Sequence, residues 1–193
     1  MISYLNGKIA ELNPAYAIID CSGIGYYTHI SLNTYTKLNG KTEYKLLTHL
    51  VIREDAHLLY GFAEEAERTM FLQLISVSGV GPNTARMILS SQTPGDIAAA
   101  IDSENVDLLK SIKGIGLKTA QRIIVDLAGK VAKGGVSIEF SSGVNNTKRS
   151  EALSALVVLG FDKKLAEKTV ERVLTANPEA SLEELVKQTL KSL

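Results

Sequence analysis

Hydrophobic positions follow two different periods along this chain, and the change falls near Ala63. Before it, apolar and polar residues alternate in short runs. Tyr26, Thr28, Ile30 and Leu32 interleave with Tyr27, His29 and Ser31, which is the period of a half-buried strand. Similar runs occupy Ile2 to Leu12, Tyr16 to Cys21, Tyr44 to Ile52 and His57 to Phe62. Between them lie Asn13-Pro14, Ser22-Gly23-Ile24-Gly25 and the polar tip Arg53-Glu54-Asp55-Ala56, all turn-forming stretches. Five short strands in residues 1–62 predict a small closed barrel of the oligonucleotide-binding (OB-fold) type.

From Ala63 the spacing becomes helical. Met70, Phe71, Leu74 and Ile75 share one face of a first helix, whose opening turn carries Glu64, Glu65 and Glu67. Thr93-Pro94-Gly95-Asp96 opens another helix, and about five short helices over residues 63–133 predict an all-α domain. Residues 134–149 lose periodicity and are rich in Gly, Ser and Asn, the composition of a flexible linker. Residues 150–193 then predict three helices. Gly160 ends the first, Asp162 caps the second, and Ser181 with Glu184 forms a capping box for the third. The turn Leu159-Gly160-Phe161 resembles that of a ubiquitin-associated (UBA-like) three-helix module. A domain this small has little core, so its expected use is to present an apolar patch to another protein.

Within the helical region one motif occurs twice. Leu74-Ile75-Ser76-Val77-Ser78-Gly79-Val80-Gly81-Pro82-Asn83-Thr84-Ala85 is echoed by Leu109-Lys110-Ser111-Ile112-Lys113-Gly114-Ile115-Gly116-Leu117-Lys118-Thr119-Ala120. Both glycines, the Thr and the Ala recur at an offset of 35 residues. The pattern predicts helix, tight hairpin, helix: the glycines permit the turn and leave backbone bare, while the apolar residue between them pins the helices together. The second helix of each pair begins with unpaired N–H groups at its positive dipole end, which suits a phosphate. A tandem helix-hairpin-helix gripping nucleic-acid backbone follows, with Arg86, Lys118 and Arg122 as basic partners. Ordinary helical corners are the alternative, and the repetition with basic residues after each copy weighs against it. Gly114 to Thr119 approaches a P-loop but lacks its first glycine and a glycine before the lysine, so no ATP site is expected.

Charge is balanced, with 21 basic and 21 acidic residues. Residues 1–62 carry five of each sign and residues 63–133 eight of each. A nucleic-acid binder of this kind must segregate charge by face and take much of its grip from backbone amides. The single cysteine, Cys21, forbids an internal disulfide and fits a reducing cytoplasm; it reads as a small buried side chain. No signal peptide and no membrane span are expected.

Glu54 and Asp55 read by themselves as a solvated hairpin tip. A divalent-metal nuclease would need further ligands, and His57 is the only nearby candidate, since His29 and His49 read as strand-face residues. A base-excision glycosylase on the same frame would want a catalytic Asp after the hairpin, but Asp126 lies within an apolar-periodic helix. No catalytic residue, metal or cofactor is expected.

Barrel, tandem hairpins, linker and helical tail, in this order, resemble the RuvA family. The resemblance is carried by Arg53-Glu54-Asp55-Ala56 with Leu58-Leu59-Tyr60-Gly61-Phe62, by Ser78-Gly79-Val80-Gly81-Pro82, by Gly114-Ile115-Gly116 with Lys118-Thr119-Ala120, and by Leu159-Gly160-Phe161. It implies a non-catalytic homotetramer that holds four-way (Holliday) DNA junctions open. It also implies recruitment of the hexameric ATPase RuvB through the tail, with the resolvase RuvC in the same complex. Residue by residue, the resemblance assigns DNA contact to Gly79, Val80, Gly81, Asn83, Arg86, Gly114, Ile115, Gly116, Lys118, Thr119 and Arg122. Glu54 and Asp55 match an acidic pin at the junction centre, and Leu156, Leu159 and Phe161 are candidate motor contacts. The chain departs from the family pattern at Asn83 and Leu117, where lysine is common, which lowers the number of charge-assisted contacts.

Overall fold

Five strands close into a barrel: β1 (Tyr4–Asn13), β2 (Tyr16–Cys21), β3 (Ile24–Ile30), β4 (Glu43–Ile52) and β5 (His57–Phe62). Their order around the barrel is β1-β2-β3-β5-β4. Neighbours pair antiparallel except β3 with β5, where His29 and Ile30 run parallel to Tyr60 and Gly61. The alternation has a direct structural cause: Leu5, Ala17, Ile19, Ile30, Leu46 and Leu59 point inward and form the barrel core. A computed structural model describes residues 1–131, 144–178 and 180–193 of the chain. It falls into two compact units, Met1–Gly135 and Val136–Leu193.

The third strand lies two residues earlier than its alternation predicts, taking in Ile24 and Gly25, which the sequence assigns to the preceding turn. It ends at Ile30, and Leu32, expected to be its last residue, instead opens a helix, α1 (Leu32–Leu38). Ser31 is the reason: its side chain accepts the Thr34 N–H at 3.0 Å and caps that helix. Leu38 at the far end of α1 is fully buried in the barrel core. Alternating polar and apolar residues over Tyr26 to Leu32 satisfy a strand pattern equally well, and the cap decides between the two.

The helices after the barrel are α2 (Glu65–Ile75), α3 (Pro82–Ser91), α4 (Pro94–Asp102), α5 (Val106–Ser111) and α6 (Leu117–Leu127). A capping box between Thr93 and Asp96 opens α4. Their apolar faces share one core with the end of β5. Tyr60 and Phe62 bury their rings among Phe71, Leu74, Ile88, Ile101 and Ile123. Barrel and helices therefore form a single unit, although the change of period near Ala63 suggests two.

Glu67 departs from its expected role. Glu65 stays at the surface and pairs with Arg68 at 2.7 Å, and Glu64 pairs with Lys37. Glu67, however, is buried, accepting hydrogen bonds from the hydroxyls of Ser31 and, at 2.6 Å, Thr34. Thr34 Oγ1 in turn accepts the Ala63 N–H at 3.0 Å. One carboxylate thus ties together the exit of β3, α1, the end of β5 and α2.

In the second unit, α7 (Val144–Val158), α8 (Lys163–Ala176) and α9 (Leu182–Leu190) surround a small core of Ala152, Leu156, Ala166, Val170, Val173, Ala180 and Leu185. Asp162 accepts the N–H groups of Lys164 and Leu165, and Ser181 with Glu184 forms the expected capping box. Helix α7 begins at Val144, six residues before the predicted boundary at Ser150. Part of the reason is long-range: Arg149 bridges Glu167 and Glu171 of α8, a pairing invisible to local periodicity. Of the linker predicted over 134–149, residues 134–143 lie outside the described residues. Among the described residues no helix is long and apolar enough to cross a membrane.

Burial raises the Glu67 pKa above its ordinary 4.5, outweighing the two hydroxyl bonds that favour the carboxylate. A carboxyl group whose folded pKa is raised binds its proton more tightly when folded. Its contribution to stability is therefore greatest below the unfolded pKa and is lost as pH rises through the folded one. In urea unfolding, the stability of the native protein relative to Glu67→Gln is expected to decline as pH rises above the ordinary 4.5 toward neutrality. A difference that stays flat with pH contradicts the assignment.

Candidate nucleic-acid interface

Both hairpins are built the same way. After α2, Val77 donates its N–H to Leu74 O at 3.1 Å, and Val80 donates to Val77 O at 3.0 Å. After α5, Ile112 donates to Leu109 O at 3.2 Å, and Ile115 donates to Ile112 O at 3.0 Å. The first glycine of each motif has a positive φ, 91° at Gly79 and 90° at Gly114, a conformation that L side chains rarely adopt. The second glycine is the N-cap, with φ −82° and ψ 167° at Gly81, and φ −83° and ψ 165° at Gly116. Ala85 and Ala120, the small residues of the repeat, are fully buried and bond back to Gly81 O and Gly116 O, both at 2.9 Å.

No side chain caps α3 or α6. The first-turn N–H groups that capping residues normally satisfy are left facing outward at both helix starts. A Cβ added at Gly81 or Gly116 would meet no protein atom within 4 Å. Neither φ nor packing within the chain demands glycine there. The backbone at these two positions is left bare, with open space beside it.

Each residue of the predicted DNA face is now placed. Gly79, Gly81, Gly114, Gly116, Asn83 and Lys118 are exposed, and Thr119 is half-buried. Val80 and Ile115 are buried in the helical core with their N–H groups already bonded inside the turns, so they act as plugs that set the hairpin angle. Asn83 Oδ1 accepts the Tyr60 hydroxyl at 3.1 Å, joining the first helix start to the barrel. Arg86 Nη1 donates to Ala15 O at 2.8 Å and braces the β1–β2 turn. Arg122 Nη1 reaches Ser78 O at 3.3 Å, so a side chain of the second hairpin steadies the turn of the first. The Met87 Cε lies 3.2 Å from where a Gly114 Cβ would stand, a reciprocal contact. These cross-links escaped the sequence because they join residues 23 or more positions apart, beyond the reach of any local pattern. Lys113, exposed within the second turn, is a further cation beside the site.

Glu54 and Asp55 are exposed at the tip of the β4–β5 hairpin, closed by Arg53 N–H to Ala56 O at 2.9 Å. Among the described residues no group of three or more His, Cys, Asp or Glu converges to hold a metal ion. His29 and His49 lie on strand faces, both with pKa lowered by burial and secondarily by Arg86 and Arg68 respectively. Cys21 is half-buried against the barrel core. In the tail, Leu156 is fully buried in the core, which removes it from any docking surface. Leu159 is 59% exposed, and Phe161 packs partly against the same core.

Three family models match successive stretches of the chain: RuvA N terminal domain over residues 1–61, SAM-like helix-hairpin-helix tandem over 71–128, and RuvA C-terminal domain over 147–193. The chain is also 51% identical over 193 residues to the Holliday junction branch migration complex subunit RuvA of Flavobacterium psychrophilum, with both chains covered in full. It is 49% identical to the proteins of that name from Bacteroides fragilis, over 201 residues, and Christiangramia forsetii, over 193, again with full coverage. The chain belongs to the RuvA family. The hairpins, the barrel tip and the helical tail are thus the RuvA parts in RuvA order.

The two glycine roles separate by substitution. Gly79→Ala and Gly114→Ala are expected to lower stability by about 1–2 kcal/mol, because a Cβ is strained at positive φ. Gly81→Ser and Gly116→Ser are expected to match or exceed the native protein, since serine is a better N-cap and its Cβ meets nothing. Denaturant midpoints of the four variants check the contrast.

Proposed function

We propose that this protein binds four-way DNA junctions by their structure, without reading bases, and serves as the non-catalytic subunit of a branch-migration complex in recombination and repair. The observation that carries this reading is the pair of uncapped helix starts with matching backbone geometry at Gly81 and Gly116. Two such starts offer oriented N–H donors and positive dipole ends to two phosphates of a backbone, and contain no base-reading element. The relatives' shared name, Holliday junction branch migration complex subunit, supports the same ligand.

In this reading four copies assemble with cyclic symmetry, one per junction arm. Lys118, Lys113 and Arg122 supply charge beside the amides, while Asn83 and Leu117 contribute none. Glu54 and Asp55 of each copy project toward the centre as a pin. A carboxylate about 6 Å from a phosphate is repelled by roughly 0.7 kcal/mol in water and more in a drier interface. Eight such charges disfavour stacking of the arms across the centre and so favour the open junction. Leu159, with part of Phe161, offers the tail's apolar contact to the motor, RuvB, and the ATP chemistry belongs to that chain. RuvC acts on the same junction, and the complex works in the cytoplasm, which suits a lone free cysteine.

Competition between a four-way junction and linear duplex of the same sequence tests the core of the proposal, with Mg²⁺ present to expose any cleavage. Selective binding with intact DNA is expected; equal affinities or strand scission oppose it. Glu54→Gln with Asp55→Asn is expected to raise duplex binding and lower junction selectivity, by several-fold.

A chain ending at Lys133 is expected to assemble and bind junctions as before but fail to stimulate the ATPase partner. Loss of junction binding by that shortened, folded chain would place the tail in the DNA site instead.

A further inference from the structure

An aromatic ladder crosses the outer face of the barrel from the first hairpin. In the β2–β3 register Tyr16 stands opposite His29, and Ile18 opposite Tyr27. The rings of Tyr16 and Tyr27 stack with centroids 4.7 Å apart and planes 22° apart. Tyr27 meets His29 edge-on at 5.2 Å, and His29 lies 5.4 Å from Tyr60. Tyr60 then bonds to Asn83 in the first turn of α3. The other end is braced too, because Arg86 of the same helix holds the carbonyl of Ala15, next to Tyr16.

This ladder is not sealed. Tyr60 is buried at one end, yet Tyr27, stacked against Tyr16 toward the other, is 50% exposed. The Glu11 carboxylate accepts the Tyr16 hydroxyl, which fixes that ring in place. It also puts a negative charge on the rim, which disfavours a phosphate there. His29 titrates below its ordinary pKa because it is partly buried and near Arg86, so the ladder holds neutral rings at neutral pH. An exposed, pre-positioned and uncharged ring system suits a base better than a backbone.

We propose that Tyr27, backed by Tyr16, is a stacking platform for unpaired DNA bases, continuous with the phosphate site at the first hairpin. This rests on the reading of that hairpin as a DNA site. It provides a place for a base displaced near a branch point while its strand remains held through the phosphates. Stacking tolerates any sequence, since every base has a π face.

The test uses the full chain and two probes: a fully paired four-way junction, and the same junction carrying a four-nucleotide unpaired thymidine flap at the crossover. The native protein is expected to bind the flapped junction more tightly. Tyr27→Leu is expected to lose about tenfold on the flapped probe while staying within twofold of native on the paired one. Tyr27→Phe keeps the ring and is expected to retain the preference, which controls for folding. A preference unchanged in Tyr27→Leu overturns the proposal, and so does equal loss on both probes. A changed oligomeric state in Tyr27→Leu, read by light scattering, also overturns it, because the face then belongs to a contact between copies. Should the native protein bind the flap through Tyr27 yet fail on the paired junction, the platform stands and the junction reading falls.

Discussion

Phe71 occupies the place where barrel and hairpin helices meet, its ring centroid 5.1 Å from that of Tyr60 and 4.9 Å from that of Phe62, with His49 at 5.9 Å. The rest of the first unit depends on this packing. Burying a ring of this size contributes on the order of 2–3 kcal/mol, and three neighbouring aromatics leave little freedom to slide. The buried Glu67 network adds direction to what apolar packing alone leaves adjustable. The consequence for function is rigidity. The acidic tip on β4–β5 and the two helix starts sit on one body, so their mutual positions are set before any ligand arrives.

A neutral chain that grips a polyanion needs that pre-organisation. In the proposed reading its donors are backbone amides fixed by hairpin geometry, which lose little conformational entropy on binding. The plugs Val80 and Ile115, the braces from Arg86 and Arg122, and the buried Ala85 and Ala120 all hold those amides outward. Arginines that look like phosphate ligands in the sequence thus also act within the protein. Lys118 and Lys113 remain exposed to supply charge.

Most of the fold was legible in the sequence because each element carries a local signal. Alternation marked the strands, capping residues marked α4, α8 and α9, and the 35-residue repeat marked both hairpins. Errors fell where a long-range partner overrules a local pattern. Ser31 looks like a strand residue until Glu67, 36 positions away, is seen to hold it as a cap. Val80 and Ile115, by contrast, pin each helix pair as the repeat predicts, with both side chains buried. Leu156 looks as available as Leu159, because a 44-residue helical module does not announce in its sequence which leucines it keeps.

By itself the sequence determined the kinds of element, the conformation of the turns and the chemistry on offer at them. Glycine at 79 and 114 permits the left-handed turn found there, and glycine at 81 and 116 leaves the backbone bare; both follow from the absence of a Cβ. Tertiary structure alone decided which side chains brace and which remain free, and it joined barrel and hairpins into one body. It also drew Tyr16, Tyr27, His29 and Tyr60 into a single line ending at Asn83. The physical reason is that backbone conformation is set within a few residues, whereas burial, ion pairing and ring stacking depend on partners that only chain closure brings within a few ångströms.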